Sequence, residues 1–458
     1  MKWGQIMMKA EVEMSHVAEK TTSHLWNAMH RYNPDAQDMM AVSGEGSWFV
    51  DADGKKYLDG VSGLWCLNLG YGRQEIADAA AEQMRKLTYF PLTMNHPPAV
   101  ELAGKISQLL GGDYQTFFSN SGSEANETAF KIVRQYHNQT GNQGKYKFIS
   151  RYRAYHGSTL GALSATAQAN RRVKYDPGAP GFLHVYPPYS YRSIFGGDPE
   201  ESDLKAAQML EEMINWEGEE TVAAFIMEPF ISGGGVIIPF PKYIQRVAEI
   251  CKKHNVLLIM DEVVSGYGRT GKMFGFMHAE GVQPDIVTMA KGLTSGYLPL
   301  GATAVKSEIY DVFKQTGKDN HFRHVSTYGG HPAACAVALK NIEIIEKENI
   351  VERVHELGKA KLGKLHALMD HENVGEVRQV GFLLGLEMVT DKQSKVPLDE
   401  AKMGEIVGKC KEKGLIIGKN GDTVPGQNNV LIIAPPLTST EADLNFVVET
   451  VESVIRSI

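Results

Sequence analysis

Three short runs in this chain set a reactive or phosphate-binding group at the end of an apolar stretch. The first is Asp285-Ile-Val-Thr-Met-Ala-Lys291-Gly292, where a lysine closes a strand-like run and a glycine follows. Lysine seldom sits in such a place unless it is paired or reacting, and partial desolvation lowers its pKa towards that of a Schiff-base nucleophile. The second is 256–260 (VLLIM), which runs directly into Asp261 and Glu262. A carboxylate there needs a partner, because an unpaired buried charge is costly. A helix N-terminus holding a structural acid would serve, and so would a cationic ligand atom. The third is Phe-Phe-Ser-Asn-Ser-Gly-Ser-Glu-Ala-Asn-Glu at 117–127, which has the form of a strand, a small-residue turn and a helix start. Free backbone N–H groups in that turn, with the hydroxyls of Ser121 and Ser123, make a phosphate cradle. The plainer alternative is that Ser123 only caps a helix whose first turn holds Glu124 and Glu127. Each run taken alone has a structural explanation. Together, in this order and each at a strand end, they point to a phosphate-bearing carbonyl cofactor.

The elements that must position these groups follow from the hydrophobic pattern. Apolar, β-rich runs at 116–119, 147–152, 223–228, 256–262 and 286–290 predict strands, and stretches such as 124–138 and 243–254 repeat apolar residues at helical spacing. Strands alternating with helices predict a mostly parallel sheet covered by helices, the doubly wound α/β class. In that class ligands collect at the carboxyl ends of the strands, where all three runs fall. Residues 46–60 (GSWFVDADGKKYLDG) predict two short strands around a turn at Asp53-Gly54. After about residue 345 the chain is Lys/Glu-rich and helical, with further short strands near 381–388 and 429–434. The expected organisation is a large domain over 75–345, with 1–74 and 346–458 forming a smaller domain beside it.

A rival motif has to be weighed. Gly266-Tyr-Gly-Arg-Thr-Gly271-Lys272 satisfies GxGxxG and comes close to a P-loop. Met273 stands where a P-loop needs Ser or Thr for magnesium, and no helix opens at the motif as a dinucleotide fold requires. The 458 residues carry a net charge of -7, which gives no reason to expect a nucleic-acid partner. No stretch approaches the roughly 18 uninterrupted apolar residues of a membrane helix. Residues 1–20 mix Lys, Glu and His with apolar residues and do not read as a secretory signal. Cys66, Cys251, Cys335 and Cys410 are scattered, so neither a disulfide framework nor a metal site is expected, and reduced thiols in a cytoplasmic protein are.

Seven segments resemble the class III, or ω-, aminotransferases of pyridoxal phosphate fold type I: SGLWCLNLGYG (62–72), SNSGSEANE (119–127), YRAYHGST (152–159), IMEPFISGGGV (226–236), LIMDEVVSGYGRTGKMF (258–274), DIVTMAKGL (285–293) and STYGGHPAACA (326–336). They cover nearly the whole chain in order. The resemblance is closest to enzymes that use pyruvate as amino acceptor, including those acting on taurine, β-alanine or simple amines. It implies pyridoxal 5'-phosphate as cofactor and an amine and a keto acid as substrates. Lys291 would form the Schiff base and carry protons, and Asp261 would pair with the pyridine nitrogen. Gly122 and Ser123 would hold the phosphate, with Thr327 reaching the phosphate of a neighbouring subunit. Tyr155 and Val263 would pack on the two ring faces, Glu228 would shape the ring's surroundings, and Trp65 with Tyr89 would line the substrate pocket. A homodimer or a dimer of dimers is therefore expected, with ping-pong kinetics. Rival readings are an aminomutase, racemase or decarboxylase on the same lysine, and a non-catalytic binding protein of the same fold.

One departure bears on substrate choice. Many members keep a mobile arginine after a glycine and a short apolar run near the C-terminus; here the run is 414–417 and the position is Gly418, followed by Lys419. No arginine occurs between Arg378 and Arg456. Lysine cannot reproduce a bidentate guanidinium clamp. Either Lys419 binds the substrate carboxylate, or an arginine from elsewhere does, with Arg171, Arg172 and Arg192 as candidates, or carboxylate binding is weaker than in those members.

Overall fold

A computed structural model describes residues 24–29, 33, 39–315, 319–421 and 423–458. The segment read for a secretory signal, and with it the start of the expected 1–74 unit, lies outside the described residues.

Seven strands make the central sheet: β4 (Tyr114–Ser119), β5 (Lys147–Arg151), β6 (Phe182–Val185), β7 (Val222–Met227), β8 (Leu257–Asp261), β9 (Ile286–Met289) and β10 (Gly301–Lys306), in the order β4-β10-β9-β8-β7-β5-β6. β10 is antiparallel to both neighbours; β6, β5, β7, β8 and β9 are parallel. β7, β8 and β9 are buried at every residue, yet the period of two persists. Phe225, Met227, Leu258 and Met260 join one hydrophobic cluster, and Ile226, Leu257 and Ile259 join another. The continuous apolar runs are therefore two opposite faces, each with its own core.

The longer helices are α1 (Gln74–Lys86), α2 (Pro97–Leu110), α3 (Gly122–Gln139), α4 (Pro199–Glu217), α5 (Pro241–Lys253), α6 (Pro332–Lys347), α7 (Ile350–Ala360), α8 (Glu400–Glu412) and α9 (Glu441–Ile455). α2, α4, α5 and α6 open with proline, whose missing N–H costs nothing in a first turn. α3 packs against β7, β8, β9 and β10.

Two smaller sheets complete the chain. β1 (Ala41–Glu45), β2 (Trp48–Asp51) and β3 (Lys56–Asp59) form a meander whose turn has Gly54 at φ 79°, and β14 (Leu415–Ile416) adds in parallel to β3. The other contains β11 (Val374–Val380), β12 (Leu383–Asp391), β16 (Val430–Ile433) and β15 (Gly418–Lys419), with β13 (Val396–Pro397) paired to β12. Of these strands, β1, β11, β13, β14 and β15, like β6 and β10 in the large sheet, were not marked by the sequence pattern. Among the described residues no helix is long and apolar enough to cross a membrane.

Candidate active site

β4, β8 and β9 end at one edge of the large sheet, and the residues that follow them, with others after β5 and β7, line a cavity of about 590 Å³. That volume lies in the ~300–1,000 Å³ range of cofactor and substrate sites. Trp65, Gly122, Ser123, Tyr155, Glu228, Asp261, Val263 and Lys291 all line it.

At one end α3 presents its N-terminus. Ser121, not Ser123, is the cap, its Oγ accepting from Glu124 N at 3.2 Å, because the helix begins at Gly122. Ser123 is thus inside the first turn, and its Oγ accepts from Ser158 N at 3.1 Å, which leaves the hydroxyl hydrogen to be donated elsewhere. A Cβ on Gly122 would lie 2.9 Å from Val263 Cγ2, and one on Gly157 would lie 2.5 Å from Ser123 Oγ. Glycine at these two positions leaves the room that the Val263 and Ser123 side chains occupy.

The floor holds two carboxylates with different partners. Asp261 Oδ2 accepts from His156 Nδ1 at 2.8 Å and from Asn126 Nδ2 at 2.9 Å, while Oδ1 accepts from Val263 N at 3.1 Å. Glu228 accepts from Tyr155 N at 3.1 Å and Ser232 N at 3.0 Å, and burial pushes its carboxyl above the usual range. Next to Asp261, Glu262 accepts from Ser265 Oγ and from the N–H groups of Gly275 and Phe276, and burial pushes it up to about 7. It therefore ties down the glycine-rich loop, in which Gly271 (φ 81°) packs against His355 of α7.

Lys291 follows β9 with φ 43°, a left-handed conformation costing on the order of 1–3 kcal/mol in a non-glycine residue. Its Nζ lies 5.0 Å from the centroid of the Trp65 ring. Burial lowers its pKa, against the opposing pull of Cys66, Asp261 and Glu228.

The proposed substrate side divides in a way the sequence did not foresee. Lys419 lies in β15, paired with Leu431, and does not line the cavity, because β15 is laid down beside β16 in the smaller sheet. Arg172 bonds His184 and Asp176, and Arg192 is engaged by the buried Glu387. The arginine among the described lining residues is Arg171. Its guanidinium sits 5.1 Å from the Tyr155 ring centroid, its Nε donates to Gln168 Oε1 at 2.8 Å, and one Nη contacts Met29 Sδ at 3.7 Å. Tyr89 and Thr327 also stand apart from the cavity, joined to each other by Tyr89 Oη donating to Thr327 O at 2.7 Å. The sequence reading did not single out Asn126, His156 and Gln168, although Asn126 and His156 fall inside the SNSGSEANE and YRAYHGST runs. Among the described residues no cluster of His, Cys, Asp or Glu is arranged to hold a metal ion.

A family model described as aminotransferase class-III matches residues 31–455. A protein of Bacillus subtilis (strain 168) named as the uncharacterized aminotransferase YhxA is 54% identical over 441 residues, covering 96% of each chain. The taurine–pyruvate aminotransferase of Bilophila wadsworthia is 42% identical over 439 residues, covering 95% of this chain and 96% of that one. Among solved structures, an amine transaminase from an uncultivated Pseudomonas species in its pyridoxal phosphate-bound form superposes with a TM-score of 0.90 at 33% identity, over 95% of this chain and 99% of the other. The seven-stranded sheet and its helices are accordingly those of pyridoxal phosphate fold type I.

Proposed function

The chain belongs to the class-III aminotransferases, pyridoxal phosphate enzymes, and from that premise we propose that it moves an amino group from an amine or ω-amino acid to pyruvate in a ping-pong cycle. One observation carries the reading. A lysine of lowered pKa and a carboxylate held by three donors line a cavity whose described arginine, Arg171, has no carboxylate bonded to it among the described residues.

The residues suit the cofactor. The α3 N-terminus, stripped of side chain at Gly122, offers N–H groups and the Ser123 hydroxyl to a phosphate. Asp261 offers an acceptor to a protonated ring nitrogen, and Tyr155 and Val263 offer flat or apolar surface to the ring. Bound there, pyridoxal phosphate supplies the electron sink that makes a substrate Cα–H acidic.

The remaining work falls to the chain. Because burial favours the neutral amine of Lys291, its Nζ is able to attack a carbonyl carbon and later to take the proton from the substrate's Cα. Arg171 donates from its two Nη groups to the carboxylate of pyruvate or the acid group of a donor, while Gln168 and the Tyr155 ring hold its plane. Thr327 and Tyr89, bonded together on an exposed surface where Tyr328 packs against Tyr89, serve a neighbouring subunit's site, which makes a homodimer the smallest working unit. Four free cysteines support a cytoplasmic setting.

The test is a panel of amines and ω-amino acids incubated with the holoenzyme and pyruvate, with alanine and the carbonyl product quantified. Equimolar alanine and carbonyl product are expected. Turnover of the amine without alanine would instead mark a mutase, racemase or decarboxylase.

A further inference from the structure

Asn126 is 1% exposed and lies in α3, one turn beyond the proposed phosphate end. Its Nδ2 donates to His156 O at 2.6 Å and to Asp261 Oδ2 at 2.9 Å, and its Oδ1 accepts from Thr288 Oγ1 at 2.7 Å. Thr288 stands opposite Asp261 in the β8–β9 pairing and is fully buried. An amide's oxygen and nitrogen are interchangeable in shape, so the partners decide its orientation. Here they decide it twice over. A flipped Asn126 would point its oxygen at two acceptors, His156 O and Asp261 Oδ2.

Counting lone pairs then separates the two oxygens of Asp261. Each carboxylate oxygen accepts about two hydrogen bonds. Oδ2 is filled by His156 Nδ1 and Asn126 Nδ2, and Oδ1 has only Val263 N. One acceptor position is left, on Oδ1.

We propose that Asn126, itself oriented by Thr288, is a positioning residue that saturates Oδ2 of Asp261 and so commits Oδ1 to the cofactor's ring nitrogen. The inference rests on the reading of Asp261 given above. It differs from a packing role in one measurable respect: only a ligand with a ring nitrogen should sense it. Without the Asn126 donor, Oδ2 has an open acceptor position and competes for that nitrogen, and the carboxylate is held by His156 Nδ1 and Val263 N alone.

The experiment titrates the apoenzyme with pyridoxamine 5'-phosphate and with its analogue in which carbon replaces the ring nitrogen. Neither has an aldehyde, so both report non-covalent binding. For Asn126→Ala, Kd for pyridoxamine 5'-phosphate should rise about tenfold, the weight of one hydrogen bond to a charged group, and Kd for the carbon analogue by less than about twofold. Thr288→Val should show the same selectivity at about threefold, and it stands in if the Asn126 variant fails to fold. Equal weakening of both ligands would make Asn126 merely structural and overturn the proposal. So would no weakening of either. Asp261→Asn, run on the same two ligands, separates the premises. If it too fails to discriminate between them, the assignment of Asp261 falls; if it discriminates and Asn126→Ala does not, only the role of Asn126 falls.

Discussion

Replacing Arg171 with methionine removes the guanidinium and keeps an unbranched chain over the Tyr155 ring. Hydrogen bonds to a charged group contribute about 1.5–3 kcal/mol each. Arg171 is only partly buried, so water replaces part of what is lost, and a total of about 1.5–2 kcal/mol is the reasoned loss for a carboxylate held by both Nη groups. That corresponds to a roughly 10–30-fold lower kcat/KM for pyruvate. Losing the cation–π contact with Tyr155 removes a further ~0.5–1 kcal/mol, but from every substrate alike. The ping-pong scheme makes the comparison clean, since kcat/KM for each substrate reports its own half-reaction. With 1-phenylethylamine as donor, acetophenone release is followed by absorbance, with pyruvate in one series and an uncharged aldehyde as acceptor in the other. Pyruvate should lose its 10–30-fold, and the aldehyde and the amine no more than about fivefold. Lys419→Ala should leave all three constants unchanged, because β15 lies off the cavity. If Arg171→Met lowers pyruvate and aldehyde by the same factor, Arg171 is not the carboxylate's partner.

Lys291→Ala should abolish amino transfer, a loss far beyond the tenfold that ~1.4 kcal/mol of barrier would represent, while circular dichroism and the apoenzyme melt stay native. Lys291→Met should raise the Tm of the apoenzyme near neutral pH. Burial lowers the folded pKa below the ordinary 10.5, so the unfolded chain binds the extra proton and the wild type gains stability as pH rises through that window. The advantage of the methionine variant should therefore shrink towards pH 10.5; an advantage unchanged across the window would refute a desolvated lysine. Asp261→Asn should retain bound cofactor and lose most of kcat, checked by measuring occupancy and rate on one preparation; an unchanged kcat would detach Asp261 from the chemistry.

Local pattern was enough to find the strand ends and the groups on them. Lys291, Asp261 and the Ser121–Ser123 turn each follow an apolar run that can be read without knowing its neighbours, and β4, β5, β7, β8 and β9 formed where those runs lie. β6 and β10 escaped notice because four or six residues containing His, or Gly and Thr, carry no distinctive period, and only their places in the sheet make them strands. The same limit applies to the site. Asp261 is 135 residues from Asn126 and 105 from His156, so nothing in the chain's local chemistry pairs them; the β8–β9 register and the seating of α3 on the sheet do. Lys419 and Arg171 illustrate it in reverse. By residue type and position Lys419 was the nearer substitute for an arginine missing at Gly418, yet β15 is drawn into the smaller sheet by β16 and Arg171 is left at the cavity wall. Sequence specifies which reactive groups stand at strand ends because burial and hydrogen bonding act on each run locally. Which of them meet is decided by strand order and packing, which sum contacts over the whole chain.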